Sequence, residues 1–403
     1  MSVMKSIKPA IRTERVTYAV RDVVVLAKQV AATGKEMLYL NIGDPNLFDF
    51  ATPEHVIEAT AKAMRENRNG YAPSSGIAAA LSAIARDAER NNISNIQDIF
   101  VTTGASEAID ICLSALVNAG ENVLTPTPGY PLYTALLAKL EAQEVPYYLD
   151  EDNGWQPDLD DIASKINNKT RAIVLINPNN PTGSVCDRKT LEGILELARK
   201  HSLVVFADEI YDKLILDGGR HVSIASLDKS HPIVTFNGLS KAYVAPGFRI
   251  GWGIISGDRS RVSDYVEAVN KLLRARLSAN HPEQFAIAPA LDGDQSHLEI
   301  LKQKLSRRRD ISVDMLNSIP GVSCVAPTGA FYAFPRLQIE QEDELFVQEL
   351  IKATGVVTVH GSGFGQRPGT KHFRIVFLPP EDTLRKAYGL IGQFISQFSA
   401  VTA

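Results

Sequence analysis

The sequence has few cysteines and no motif that would organise them. Three cysteines, Cys112, Cys186 and Cys324, are spread over 403 residues and form neither a Cys-x-x-Cys pair nor a metal-ligand spacing. This usage argues against a disulfide framework and favours a reducing compartment, so we expect a cytoplasmic protein. The eight histidines contain no His-Glu-x-x-His motif. We therefore expect no catalytic metal, although ligands dispersed along the chain would leave no motif.

Long apolar runs and basic blocks are also missing. No stretch approaches the roughly 18–20 consecutive apolar residues that span a bilayer, and residues 1–15 lack the apolar core of a secretory signal. Lysine and arginine total 42 against 46 for aspartate and glutamate, which gives a formal charge of −4. We therefore expect neither a membrane nor a nucleic acid as partner. Hydrophobic residues make up 45% of the chain, which excludes disorder as its main state.

Short apolar segments alternate with helical ones through the middle of the chain. Strands are predicted at 99–102, 122–125, 145–149, 172–176, 203–207, 233–237 and 250–255, and helices at 106–118, 130–140 and 191–201. This alternation predicts an α/β domain with a mostly parallel sheet sandwiched by helices.

The same pattern suggests how the chain divides. Residues 51–289 form the predicted large α/β domain, and residues 290–403 a smaller α+β domain. Residues 1–50 are too short for a domain, and we expect this N-terminal arm to join the C-terminal part. The smaller domain is predicted to contain helices at 298–318, 343–354 and 381–398 and strands at 323–327, 330–334, 356–359 and 372–377.

Polar motifs follow several predicted strands at their carboxyl ends. They are Thr-Gly-Ala-Ser-Glu at 103–107, Asn-Pro-Asn-Asn-Pro-Thr-Gly at 177–183, Asp-Glu-Ile-Tyr at 208–211 and Gly-Leu-Ser-Lys at 238–241. Open parallel sheets bind ligands beyond the carboxyl ends of their strands. The motifs therefore predict one sheet edge that offers an anion seat, an amide, a carboxylate, a phenol and an amine.

The order and spacing of these motifs resemble those of fold-type I aminotransferases that depend on pyridoxal 5'-phosphate (PLP), the class of the aspartate and alanine aminotransferases. Asn180, Asp208 and Lys241 are separated by 28 and 33 residues, Tyr211 follows Asp208 by three, and Arg249 follows Lys241 by eight. Each spacing is weak evidence alone, but the ordered set is specific. The resemblance covers nearly the whole chain and implies a large PLP-binding domain with a smaller second domain.

The resemblance implies catalytic roles at the strand ends. Lys241 would form the Schiff base with the cofactor and then move a proton, which requires an amine of lowered pKa. Asp208 would pair with the pyridinium nitrogen and keep it protonated. Asn180 and Tyr211 would donate hydrogen bonds to the phenolic oxygen of the cofactor. From the residues alone, Lys241 could be a surface lysine, Asp208 a helix cap and Asn180 an ordinary turn residue.

The resemblance further implies a phosphate seat and a shared site. Free N–H groups at the start of the helix predicted at 106–118 attract an anion, although Ser106 could serve only as an N-cap. Tyr130 would stack on the cofactor ring, its alternative being a core tyrosine. Tyr71 would cross to the phosphate of a partner subunit, which implies a homodimer with composite active sites. The residues implied to hold the phosphate within one subunit are Gly104, Ala105, Ser106, Ser240 and Arg249.

Substrate recognition is implied for a second group of residues. Arg374 lies in a predicted strand between apolar neighbours, where a charge is rarely buried without a partner. It resembles the arginine that binds the α-carboxylate of the amino acid through two parallel hydrogen bonds. Gly43 would touch the same carboxylate through its backbone, which only a residue without a side chain permits. Asn180 would reach this carboxylate too, and Tyr18 and Asn280 are carried over from the same region.

Three further segments carry predictions that the structure can test. Gly-Ser-Gly-Phe-Gly at 361–365 mimics a nucleotide-binding loop, but Arg-Pro-Gly follows and no helix opens, so we interpret it as a mobile loop beside Arg374. The three arginines at 307–309 are predicted on the solvated face of a helix. The family implies a cis peptide bond before Pro181.

The predicted function is transamination by a ping-pong mechanism between an L-amino acid and a 2-oxo acid. The runs at 208–213 and 236–243 look closest to bacterial alanine aminotransferases, so L-alanine with 2-oxoglutarate is the leading pair. Aspartate, branched-chain and aromatic donors stay open, and so does a PLP-dependent carbon–sulfur lyase. A PLP-binding transcriptional regulator is disfavoured, because only about 40 weakly basic residues precede Asn41.

Overall fold

The computed structural model describes residues 6–16 and 19–398. Its strands are β1 (Leu38–Tyr39), β2 (Ile96–Thr103), β3 (Asn122–Thr127), β4 (Gln143–Asp150), β5 (Gln156–Pro157), β6 (Thr170–Ile176), β7 (Val204–Asp208), β8 (Ile233–Gly238), β9 (Ile250–Ser256), β10 (Val322–Ser323), β11 (Tyr332–Ala333), β12 (Arg336–Leu337), β13 (Val356–Val357), β14 (Val359–His360) and β15 (Phe373–Val376). Its α-helices are α1 (Ala19–Ala31), α2 (Glu54–Arg65), α3 (Ala78–Arg90), α4 (Ala105–Leu116), α5 (Leu132–Lys139), α6 (Leu159–Lys165), α7 (Arg188–His201), α8 (Arg259–Ala275), α9 (His281–Gln284), α10 (Ile287–Asp292), α11 (Ser296–Asn317), α12 (Asp343–Thr354) and α13 (Glu381–Phe398).

A sheet of eight strands forms the centre of the large domain, in the order β2-β9-β8-β7-β6-β3-β4-β5. Strands β8, β7, β6, β3 and β4 pair in parallel. Strand β9 runs antiparallel to both neighbours, and β5 runs antiparallel to β4. The predicted α/β architecture with a mostly parallel sheet is therefore confirmed.

The central strands are apolar along their length because both faces of the sheet are covered. In β6, Ala172, Val174 and Ile176 pack into one hydrophobic cluster, together with side chains of α4, α5 and α8. Ile173 and Leu175 point the other way into the second cluster. Alternating side chains thus reach opposite faces, and both are buried. The carboxyl ends of these strands open at one edge, where the predicted motifs lie.

Smaller sheets form the second part of the molecule. Strand β1 pairs in parallel with β13, so the N-terminal segment packs against the C-terminal part. Strand β15 lies between β11 and β14, antiparallel to both. The domain boundaries at residues 50 and 289 remain a prediction. The strand predicted at 323–327 is wrong, because only Val322–Ser323 pairs with a neighbour. Within the described residues, no helix has the length and hydropathy needed to cross a membrane.

The predicted solvent exposure of the arginines at 307–309 is wrong for two of them. The side chain of Arg307 is 66% exposed, whereas that of Arg308 is 5% exposed. Arg308 donates to both carboxylate oxygens of Asp49, at 2.7 and 2.8 Å. Arg309 is buried beside Asp217. The two guanidinium groups are thus buried against the protein and paired with carboxylates that stay partly exposed, Asp49 at 44% and Asp217 at 57%.

The cis peptide bond predicted before Pro181 is also wrong. In the described chain the cis bonds precede Pro128 and Pro178. Both follow the carboxyl end of a central strand, β3 and β6, where the chain leaves the sheet edge.

Candidate active site

The predicted strand-end residues converge on one cavity of about 650 Å³ at the carboxyl edge of the sheet. The structure brings together nine residues that the sequence nominated. They are Ala105, Ser106, Tyr130, Asn180, Asp208, Tyr211, Ser240, Lys241 and Arg249. The convergence follows from the parallel topology, because strands β2, β6, β7 and β8 all end at this edge.

Lys241 carries the amine of the cavity. It follows β8 in a turn, and its Nζ donates to the carbonyl oxygen of Gly43 at 2.9 Å. Burial lowers the pKa of Lys241 to about 8, a shift that the Asp44 carboxylate opposes and that the Arg374 guanidinium reinforces. About a tenth of the amine is therefore neutral at pH 7, and the neutral form is the one that attacks or accepts a proton. The interpretation of Lys241 as an ordinary surface lysine is wrong.

Asp208 places a carboxylate in the floor of the cavity. It is the last residue of β7 and is only 4% exposed. Its oxygens accept long hydrogen bonds, from the Tyr133 hydroxyl at 3.5 Å and the Ile210 N–H at 3.4 Å. Burial raises the pKa of Asp208 to about 6. A buried carboxylate with such weak partners is stabilised by a cationic group placed against it.

The first turn of α4 and Arg249 form a seat for an anion. Gly104, with φ of +78°, is the N-cap of α4, so the alternative of Ser106 as N-cap is wrong. A Cβ on Gly104 would lie 2.3 Å from Nη2 of Arg249, and a Cβ on Gly251 would lie 2.2 Å from the Ala105 nitrogen. The two glycines let the guanidinium and a neighbouring strand approach the start of the helix. Helix dipole, N–H groups and guanidinium then face the same end of the cavity.

Two tyrosine hydroxyls meet in the wall of the cavity, and the sequence predicted a role for only one of these residues. The hydroxyl of Tyr211 lies 2.8 Å from that of Tyr332 on β11. A Cβ on Gly43 would lie 2.3 Å from the Tyr332 hydroxyl, so a residue without a side chain is needed there. Tyr332 reads in the sequence as a buried aromatic residue of a short strand. No sequence signal distinguished it from core.

Arg374 connects the two parts of the protein beside the cavity. It lies on β15 and is 3% exposed. Its Nη1 donates to Oδ1 of Asn180 at 3.1 Å, and its Nη2 donates to the backbone oxygen of Asn41 at 2.5 Å. The guanidinium carbon lies 4.9 Å from the ring centroid of Tyr332 and 4.6 Å from that of Phe364. Two aromatic faces thus hold a planar cation at the rim.

The segment at 361–365 is an anchored turn rather than an open loop. Residues Gly361–Phe364 form a 3₁₀ turn. The N–H and hydroxyl of Ser362 donate to the buried carboxylate of Asp343 at 3.0 and 2.7 Å. This anchoring places the Phe364 ring against Arg374.

Tyr71 and Asn280 do not line the cavity of this chain. The side chain of Tyr71 is 83% exposed. Asn280 donates to the Phe248 oxygen at 2.7 Å, in the turn that leads to Arg249. Tyr18 lies outside the described residues.

These residues fit the PLP that the resemblance implies. The anion seat suits a phosphate, the buried Asp208 suits a protonated ring nitrogen, and Lys241 offers an amine for the aldehyde. The glycines against Arg249 and Ala105 supply the close backbone approach that an anion needs. The cavity is large enough for a cofactor and a small substrate.

Comparisons with known proteins agree with this geometry. The family described as "Aminotransferase class I and II" matches residues 35–391. The chain is 39% identical to glutamate-pyruvate aminotransferase AlaA of Haemophilus influenzae, over 96% of this chain and 98% of that protein. It is 40% identical to alanine aminotransferase of Mycobacterium tuberculosis, over 92% and 88%. The solved structure of alanine aminotransferase from Pyrococcus furiosus superposes with a TM-score of 0.94 at 41% identity, covering 97% of this chain and 100% of the other.

Proposed function

The chain belongs to the aminotransferase class I and II family, and from this membership we propose that it transfers the amino group of L-alanine to 2-oxoglutarate. The products are pyruvate and L-glutamate. One observation carries the proposal: the Lys241 amine and the Asp208 carboxylate line a single cavity, and the Arg374 guanidinium bonds to Asn180, which lines the same cavity. The choice of alanine is supported by the relatives named glutamate-pyruvate and alanine aminotransferase, which match nearly the whole chain.

The cofactor of the family is PLP. When bound, it supplies an electron sink for the bond broken at the substrate Cα. Lys241 in its neutral form accepts the Cα proton on Nζ and later returns a proton from the same atom. The carboxylate of Asp208 would face the ring nitrogen and hold it protonated, because a nearby negative charge favours the charged form of a base. Ser106, Ser240 and Arg249 would hold the phosphate.

The substrate is oriented by the residues of the small domain. Arg374 would bind the α-carboxylate through its planar fork, with the oxygen of Asn180 fixing one end of the guanidinium. The rings of Tyr332 and Phe364 cover its two sides and keep water away from the ion pair.

We further propose that the protein is a homodimer in the cytoplasm, in which Tyr71 completes the phosphate seat of the partner subunit. An aromatic residue 83% exposed on a monomer would be buried in such a dimer. All three cysteines are free, which suits a reducing compartment. Light scattering of the purified protein tests the dimer, and a monomer with full activity would refute it.

A screen of amino donors against 2-oxo acids tests the proposed reaction. We expect L-alanine with 2-oxoglutarate, and L-glutamate with pyruvate, to give the highest kcat/KM. A preference for aspartate, branched-chain or aromatic donors would overturn the substrate assignment but not the transamination. Release of pyruvate and ammonia from a cysteine conjugate without a keto acid would point to a carbon–sulfur lyase. The two classes are thus separated by their requirement for an acceptor.

A further inference from the structure

Tyr332 is the residue of the cavity to which neither the sequence motifs nor the comparisons assign a role. It lies on β11, where it is opposite Val376 of β15, and it is 3% exposed. Its hydroxyl meets that of Tyr211 at 2.8 Å, and Tyr211 is equally buried on the large domain. The two phenols therefore form a hydrogen bond between the two parts of the protein, out of reach of bulk water.

We propose that Tyr332 is a positioning residue that donates its hydroxyl hydrogen to the Tyr211 oxygen and so directs the Tyr211 O–H toward the cofactor. Each phenol has one hydrogen to donate. When Tyr332 donates to Tyr211, the hydrogen of Tyr211 remains for a third group. This inference rests on PLP occupying the cavity, with its phenolic oxygen as that third group.

Three observations show a fixed pair of phenols in which Tyr211 keeps a hydrogen to donate, as the proposal requires. Burial raises the pKa of Tyr211 well above its ordinary range, so the phenol keeps its hydrogen and can donate. The edges of the Phe331 and Tyr332 rings lie perpendicular to the Tyr211 ring, at 87° and centroid distances of 5.5 and 5.7 Å, which fixes its plane. Gly43 leaves the space that the Tyr332 hydroxyl fills. The phenol of Tyr332 is therefore locked in place before any ligand binds.

The expected consequence is a change in the pH at which the bound cofactor loses a proton. A hydroxyl that accepts one hydrogen bond becomes a stronger donor in the next. A strong bond from Tyr211 draws negative charge on the cofactor's phenolic oxygen away from the nitrogen joined to Lys241, so that nitrogen loses its proton at lower pH. Without the Tyr332 hydroxyl the bond weakens, and the pH at which the visible absorbance of the bound cofactor changes should rise.

The test is a pH titration of the visible spectrum of the holoenzyme, with no substrate present. Tyr332→Phe removes only the hydroxyl and keeps the ring beside Arg374 and Phe331. We expect its titration midpoint to move upward by about one pH unit. Tyr332→Leu lacks the same hydroxyl and gives a second reading of this shift. It also removes the ring under Arg374, so its KM for the amino donor should rise while that of Tyr332→Phe changes little.

Tyr388→Phe is the matched control. Tyr388 is another buried tyrosine, but its hydroxyl donates to Ser312 at 2.7 Å, between α13 and α11 and away from the cavity. We expect a similar loss of thermal stability in this variant and an unchanged titration midpoint. An unchanged midpoint in both Tyr332 variants would overturn the proposal.

A double variant separates action through Tyr211 from direct action on the cofactor. If Tyr332 acts through Tyr211, then adding Tyr332→Phe to Tyr211→Phe should produce no further shift. Additive shifts would show that Tyr332 acts independently and would refute the positioning role. Because no amino acid is present, these results do not depend on whether alanine is the substrate. An error in the substrate assignment would appear in the donor screen alone.

Discussion

The two halves of the active site are built in different ways. The large-domain half, with Asp208, Tyr211 and Lys241, stands at the ends of strands of an eight-stranded sheet. The small-domain half, with Tyr332 and Arg374, stands on strands of two and four residues. The first half is positioned by regular backbone pairing, whereas the second depends on side-chain contacts with distant residues. In the proposed mechanism, the strand ends of the large domain carry the groups that move protons, and the side-chain contacts of the small domain hold the group that binds the substrate.

The electrostatics of the two halves differ as well. In the large-domain half burial moves the pKa of Lys241 down to about 8 and that of Asp208 up to about 6. Both groups are thereby brought toward the pH range in which they can exchange protons. In the small-domain half Arg374 stays a fixed charge, because a guanidinium does not lose its proton in proteins. Variants should therefore separate into those that stop the chemistry and those that weaken binding.

The largest effect is expected from Lys241→Ala in the large-domain half. The variant loses the atom that moves the proton, so kcat should fall by at least about 10⁴-fold. Borohydride treatment should fix no cofactor on the chain, as measured by mass spectrometry. Lys213→Ala is the control, since Lys213 is a buried lysine paired with Asp87 outside the cavity. A borohydride adduct on the Lys241→Ala protein would contradict the assignment.

A smaller loss is expected from Asp208→Asn, which keeps the shape of the side chain and removes its charge. Without the carboxylate the ring nitrogen is no longer held protonated, and kcat should fall by about 10³-fold. Exchange of the Cα hydrogen of L-alanine with deuterated water, followed by NMR, reports this step directly. Asp212→Asn makes the same change on the same turn but outside the cavity, and should retain most of the activity. Near-normal exchange in Asp208→Asn would mean that the ring nitrogen has another partner.

Arg374→Ala tests the small-domain half. Removing the planar fork should raise KM for L-alanine by about 100-fold, as expected for an unpaired carboxylate in a partly dry site. The variant should still bind the cofactor fully at saturating concentration and high pH, as measured by its visible absorbance. Arg374→Lys keeps the charge without the fork and should recover only part of the loss. An unchanged KM in both variants would mean that Arg374 does not bind the substrate carboxylate.

The difference between the halves also explains what the sequence could predict. Asp208 and Lys241 were found because each follows an apolar strand at the edge where parallel sheets bind ligands. Arg374 was found as a charge between apolar neighbours. Tyr332 and Asn41 were missed, since an aromatic residue in a short strand looks like core and Asn41 contributes through its backbone oxygen. The contact between Asn41 and Arg374 spans 333 residues, and no local pattern encodes it.

The two buried arginines of α11 were predicted wrongly for a related reason. Arg307 and Arg308 are adjacent and chemically identical, and helical periodicity alone does not show which side faces a partner. Only the assembled structure brings Asp49 to Arg308. The bounds of α11, in contrast, were predicted within two residues at the start and one at the end.

The pH dependence of cofactor attachment should depend on residues of both halves. In cofactor-free enzyme only the neutral Lys241 amine reacts, and its pKa is lowered to about 8. The attachment rate should therefore rise about tenfold per pH unit below this value and level off above it. The guanidinium of Arg374 contributes to the lowering, so Arg374→Ala should shift the plateau to higher pH. Stopped-flow absorbance measures the rate. An identical pH profile in the variant would mean that Arg374 does not lower the pKa of Lys241.

The smallest expected change concerns how the small-domain half is held in place. Arg308 binds Asp49 and the backbone oxygen of Leu378, which follows β15 with its Arg374, and so ties that strand to α11 and the N-terminal segment. Arg308→Ala leaves the buried Leu378 oxygen without this donor, whereas Asp49 is 44% exposed and keeps Lys304. The free energy of unfolding should therefore fall by about 2 kcal/mol. The adjacent Arg307→Ala removes an exposed arginine beside Glu381 and should change it by less than about 0.5 kcal/mol. Chemical denaturation of the two variants measures the contrast. Equal stabilities would mean that the short strands carrying Arg374 do not depend on this buried arginine.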